Sequence, residues 1–87
     1  MSSIGEAKEQ IASASEAAEN AKTAAASADG SIVDALQALN EAAAGTGHPK
    51  VVAAVSSYRT AAKKLEEAVG LISEAQSAGD EYAAQLG

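Results

Sequence analysis

The sequence predicts an all-α protein: an antiparallel two-helix hairpin held along an alanine-rich heptad seam. Three observations lead there. Apolar residues recur every seven positions through both halves of the chain. Proline occurs once, at Pro49, so neither half contains a helix breaker of that kind. Near the middle stands Gly45-Thr46-Gly47-His48-Pro49, a stop signal followed by a start signal.

The first helix is predicted over about residues 3–43. Ser3 and Glu6 have the spacing of a capping box, in which side chains satisfy amides that the first helical turn leaves unpaired. One apolar row runs Ile4, Ile11, Ala18, Ala25, Ile32, Leu39. A second, offset by three, runs Ala7, Ala14, Ala21, Ala28, Ala35, Ala42. Two rows of this kind are the a and d stripes of a helix that packs on another helix. Asp29-Gly30-Ser31, with Ser31 and Asp34 again at capping-box spacing, interrupts the pattern. It predicts a kink near Gly30 or, as the alternative architecture, a join that makes three helices.

The turn is predicted at residues 44–49. Gly45 and Gly47 are read as supplying the left-handed backbone that ends a helix. Pro49 suits a first helical turn, and His48 is read as capping or filling the turn. The second helix follows over about residues 49–86. Its rows are Tyr58, Leu65, Ile72, Gly79, Leu86 and Ala54, Ala61, Ala68, Ala75, Tyr82.

Each segment would span roughly 55–60 Å at the helical rise per residue. Matched lengths and a short connection make the helices antiparallel neighbours. Folding about Gly47 pairs residues whose numbers sum to about 93, by the symmetry of the chain about that residue. Ala21 then faces Ile72, Ala28 faces Leu65, Ala35 faces Tyr58, Ile32 faces Ala61 and Ile11 faces Tyr82, large against small at each level. The predicted packing interface is therefore Ile4, Ile11, Ala21, Ala28, Ile32, Ala35, Leu39, Val55, Tyr58, Leu65, Ile72, Tyr82 and Leu86. Val33, Val52 and Leu71 fall outside both rows and suggest a second helix-binding face.

Composition narrows the function. The chain has 87 residues, enough for one domain, and its only aromatics are Tyr58 and Tyr82. Hydrophobic residues make up 47%, largely as alanine, which favours the helix but contributes little apolar area to a core. Such a chain is expected to need a partner, its own copy or another helical protein, and to form a four-helix bundle as a homodimer or hetero-oligomer. The net charge is −6. Residues 1–44 hold two lysines against seven acids, a net of −5, and residues 45–87 a net of −1. An acidic surface repels phosphate backbones and anionic lipid, which argues against nucleic acid and membrane partners.

No constellation for catalysis assembles. Cysteine is absent and His48 is the only histidine, so neither a thiolate or histidine metal set nor a nucleophile–base pair can be built. Glu6 with Glu9, and Glu16 with Glu19, share a helix face but lack the Glu-x-x-His companion of bundle metal sites; they read as a solvated face. Lys63 and Lys64 with Glu67 read as surface pairs. Gly45-Thr46-Gly47 has neither the preceding strand nor the spacing of a phosphate loop. The expectation is a protein that is not an enzyme and binds no cofactor or metal. The N-terminus has no apolar run of the signal-peptide kind and no stretch reaches membrane-spanning length. The expected location is the cytoplasm, or outside the cell by a route that needs no signal peptide.

The long Ala/Glu helix, the Gly45-to-Pro49 turn and the ending Glu81-Tyr82-Ala83-Ala84-Gln85-Leu86 together resemble small actinobacterial helical-hairpin proteins, broadly similar to the WXG-type substrates of type VII secretion. The resemblance spans the whole chain with loose motifs. Trp-x-Gly at the hairpin tip is missing, as is an acid four residues after a tyrosine: Tyr82 is followed there by Leu86 and Tyr58 by Ala62. The resemblance implies a dimeric four-helix bundle acting as a secreted partner or adaptor. Two function classes follow: an interaction or structural module that self-associates or co-folds with a partner, and an exported substrate.

Overall fold

The computed structural model describes residues 3–87 and contains two helices, α1 (Ile4–Ala42, 39 residues) and α2 (Pro49–Gln85, 37 residues), packed side by side. The predicted hairpin is what forms. It is a rod of 62 × 18 × 15 Å with a radius of gyration of 19.5 Å, against about 12 Å for a compact chain of this length.

Local chemistry explains where each helix starts. Ser3 is extended (φ −80°, ψ 166°), and its hydroxyl accepts the Glu6 amide at 3.1 Å, the serine half of the capping box. At the start of α2 an imidazole does the same work: His48 Nδ1 accepts the Lys50 amide at 3.1 Å, with Pro49 in the first turn behind it. The His48 carbonyl takes the next two amides, from Val51 and Val52.

α1 ends with the Ala43 amide on the Leu39 carbonyl, and the chain then turns through Gly45 at φ +72°. The Thr46 amide closes the turn on the Ala43 carbonyl at 2.8 Å, and the Thr46 hydroxyl accepts the His48 amide at 3.2 Å. Of the two glycines expected to be left-handed, only Gly45 is. One such residue reverses the exit from α1, and Thr46 and His48 complete the connection by hydrogen bonds without a left-handed Gly47.

α1 runs through Asp29-Gly30-Ser31 as one unbroken helix, so the three-helix alternative does not arise. A single interior glycine costs a helix only about 1 kcal/mol. Packing along the neighbouring helix outweighs that.

The seam departs from expectation in one systematic way. In both helices the first predicted row stands, while its companion lies at an offset of four residues rather than three. Half-buried positions in α1 include Ile11, Ala18, Ala25, Ile32 and Leu39, joined by Ser15, Lys22, Leu36 and Ala43. In α2 they include Val51, Leu65, Ile72, Gly79 and Leu86, joined by Val55, Ala62, Val69, Gln76 and Ala83. Ala21, Ala28, Ala61, Ala75 and Tyr82, all placed in the seam by the sequence pattern, are exposed. Ala7, Ala35, Ala54 and Ala68 stay half-buried as flanks, and Ile4 and Tyr58, though in the correct row, remain exposed.

Apolar area explains the rotation. The row displaced from the seam offers little but alanine methyl groups. The row that replaces it brings Leu36, Val55, Val69 and the aliphatic stem of Lys22, whose side chain is only 23% exposed. Larger side chains remove more surface from water, and lysine can bury its stem while its ammonium stays wet.

Register shifts as well. A Cβ built on Gly79 would lie 3.7 Å from Ile11 Cγ2, and Gln76 reaches Ser15. Facing residues thus sum to about 90, not 93, which places Gly79 rather than Tyr82 opposite Ile11. The same arithmetic moves Ala18 opposite Ile72, Ala25 opposite Leu65 and Ile32 opposite Tyr58, in place of the partners expected from symmetry about Gly47. The fold's pivot lies at Gly45, so the symmetry point was set too late in the chain.

Candidate functional site: two unequal faces of the hairpin

The rotated seam divides the rod into two broad faces of different chemistry. In an antiparallel pair each helix contributes one flanking row to either side of the seam. Beside the Ile11 row of α1 lies the row Ala7, Ala14, Ala21, Ala28, Ala35, Ala42; beside the Leu65 row of α2 lies Ala54, Ala61, Ala68, Ala75, Tyr82. These four rows hold no ionisable group except the two tyrosine hydroxyls. A shallow groove of 170 Å³ near the open end of the hairpin runs across the seam, lined by Ile11, Ala14, Ala18, Ala75 and Gly79 together with Ser15, Gln76 and Asp80 of the polar side.

The opposite face is polar. It carries Lys8, Glu19, Lys22, Asp29, Arg59, Glu66 and Asp80. Its centre is a cluster that bridges the helices. Gln76 Nε2 donates to the Ser15 carbonyl at 3.1 Å, to the Ser15 hydroxyl at 3.3 Å and to Glu19 Oε1 at 3.1 Å, two N–H groups shared among three acceptors. Lys22 Nζ stands 3.0 Å from the same carboxylate oxygen and makes the only ion pair among the described residues. Its charge-assisted bond has one foot in the seam. The Gln76 hydrogen bond, and after it Lys22, hold the Glu19 carboxyl below the ordinary glutamate value. The pairs expected between Lys63, Lys64 and Glu67 do not form.

Sequence reasoning missed this cluster because Ser15, Lys22 and Gln76 lie on none of the rows it assigned to the seam. The signal was present in the spacing of the large residues. Ile32-Leu36-Leu39, Val51-Val55-Tyr58 and Leu65-Val69-Ile72 all step by four and then three. That step fixes the companion row, and Ser15, Lys22 and Gln76 lie on it. Of the isolated apolar residues, Leu71, at 65% exposure, borders the uncharged face next to the Ala68 row, whereas Val33 and Val52 sit on the polar face near the turn.

Two further grooves open on the polar face. The larger, 610 Å³, is walled by Ala25, Ala62, Leu65 and Val69 and rimmed by Asp29, Arg59, Lys63 and Glu66. Its rim mixes both signs of charge, which favours no one ligand charge. Among the described residues no group of three or more histidine or acidic side chains is placed to hold a metal ion, and no helix is long and apolar enough to cross a membrane. No protein-family model, curated protein or solved structure matches this chain.

Proposed function

We propose that this protein is a non-catalytic helical interaction module, which completes its fold by packing against a helical protein surface. One observation carries the reading: among the described residues none is fully buried. The chain exposes 6169 Å², whereas a compact monomer of 8.5 kDa would expose about 4,700 Å², so about 1,500 Å² of accessible surface is left over. Folding to the hairpin hides only about half of what the extended chain would expose. Hydrophobic burial is the main force opposing chain entropy, and a two-helix layer of alanine supplies little of it. A second helical layer would supply the rest.

The export reading rests on the turn and on the last residues of the chain. Both have structural duties that account for them: Gly45 reverses the chain, His48 caps α2, and Leu86 closes the seam. A module that acts by packing needs no more than these duties, so the interaction reading stands first.

Thermal melts followed by circular dichroism over a roughly hundredfold range of concentration test the proposal, with light scattering alongside. Association that stabilises the fold makes Tm rise with concentration. A constant Tm with a single-chain mass throughout, at a stability typical of a compact domain, would overturn it.

A further inference from the structure

Resting on that interaction reading, we infer that the partner is a second copy of this chain, seated face to face on the uncharged face. Area is the first argument. The rod's 62 × 18 Å outline gives the face a footprint of about 1,100 Å². A stable standard-size interface takes about 800 Å² from each partner. The face meets that requirement, and covering it on two chains removes most of the surplus exposure that each hairpin carries alone.

Charge is the second argument. Two chains of net −6 repel unless their charges stay solvated and apart. The uncharged face meets this condition: the acids of α1 stand on rows pointing away from it, among them Glu6, Glu9, Glu16 and Glu41. The face also has no side chain with which to select a partner by opposite charge. Its apolar rows run on both helices and are self-complementary. Small alanines at its edges let helix backbones approach, and Tyr58, Tyr82 and Ile4 supply exposed apolar bulk.

Along the border of α2 stand Lys50 and Lys64, while the corresponding border of α1 is uncharged. A two-fold axis along the rod lays α1 of one copy over α2 of the other. That arrangement keeps the two strongly acidic halves diagonal and brings each lysine border beside an acidic helix. The polar face, with the Ser15–Gln76 cluster, remains in water.

Ala21 and Ala68 lie on this face near mid-length, where either direction of an in-plane two-fold axis keeps the copies in step. The double variant A21E/A68E is expected to shift the light-scattering mass from two chains to one. A26E/A53E changes the net charge equally, at exposed positions off the face, and should keep the two-chain mass. Because the chain has no cysteine, single variants A21C and A68C add a direct readout that does not depend on a charged variant folding. Under mild oxidation of equal mixtures, A21C should cross-link to A68C, because α1 of one copy lies over α2 of the other, and A26C should cross-link to neither. A wild-type dimer that survives A21E/A68E but is lost in A26E/A53E, or that cross-links through A26C instead, overturns the face and leaves the interaction reading standing. A single-chain mass with a concentration-independent melt overturns the self-pairing, and it overturns the interaction reading as well where the stability is that of a compact domain.

Discussion

The Gln76 carboxamide crosses the hairpin to Ser15, donating to its carbonyl at 3.1 Å and lying within 3.3 Å of its hydroxyl. These are the only side-chain hydrogen bonds from α2 to α1 among the described residues, together with the bond to Glu19. They stand at the same level as the smallest seam residues, Ala18 and Gly79. Where apolar side chains are too small to hold the helices, a shared polar group does so.

Gln76→Ala is therefore expected to lower stability by about 0.5–1.5 kcal/mol, the usual worth of a part-buried hydrogen-bonded group. Chemical denaturation would measure it. Gln85→Ala, at an exposed position near the end of α2, should change stability by less. Equal effects would mean that the cluster contributes nothing beyond helix propensity.

Glu19 makes the same network visible through pH. Its folded carboxyl titrates below the ordinary 4.5, held down first by Gln76 and then by Lys22. A depressed acid contributes stability that is fully present above its unfolded value and is lost as pH falls through the folded one. The protein should thus weaken on acidification below about pH 4.5. Site-resolved NMR titration isolates the residue. Glu19 should titrate below the ordinary glutamate value, and Gln76→Ala should raise it toward that value. A Glu19 titration unmoved by Gln76→Ala would remove Gln76 as the leading cause.

How far the sequence could be read depended on the size of the side chains involved. Isoleucine and leucine in the rows of Ile11 and Leu65 commit one row of each helix to the seam, because their side chains are among the largest apolar groups in the chain. Pro49 and Gly45 commit the turn, because few conformations suit them. The companion row was not legible from alanine. A row of alanines satisfies a heptad template at either offset, and the choice falls to Leu36, Val55, Val69 and the stem of Lys22. The cluster of Ser15, Glu19, Lys22 and Gln76 followed from that choice, so it could not be seen before it. Gly30 was over-read for the same reason in reverse: local breaker chemistry is weak beside tens of residues of side-by-side packing.

His48 offers a test of the turn. Its Nδ1 accepts the Lys50 amide, the work that serine, aspartate or asparagine does at most helix starts. His48→Ala should cost about 0.5–2 kcal/mol, and His48→Asn should recover most of it. A histidine that merely fills the turn would give equal losses in both variants. Urea denaturation of the three proteins distinguishes the cases.

The glycines yield the sharpest contrast, because four of them sit in three different environments. Gly30 and Gly70 lie inside helices on the outward surface, and a methyl group added to either meets nothing within 4 Å. Alanine there removes backbone freedom from the unfolded chain and introduces no clash. Gly30→Ala and Gly70→Ala should each stabilise the protein by about 0.5–1 kcal/mol. Gly79 lies in the seam, where an added Cβ comes to 3.7 Å from Ile11 Cγ2, an ordinary contact. Gly79→Ala should also be tolerated, whereas a branched or longer side chain would have to displace Ile11. Gly45 also has open space around it, but its φ of +72° is one that an L side chain rarely adopts. Gly45→Ala should therefore destabilise by about 1 kcal/mol or more despite the lack of any steric neighbour. Space alone would make Gly30, Gly45 and Gly70 equivalent, so the opposite sign at Gly45 is the discriminating result. Thermal melts of the four single variants at one fixed protein concentration would supply it. A stabilised Gly45→Ala would mean that the chain leaves α1 by a different turn, and the pivot that sets the register of Ile11 against Gly79 would have to be moved.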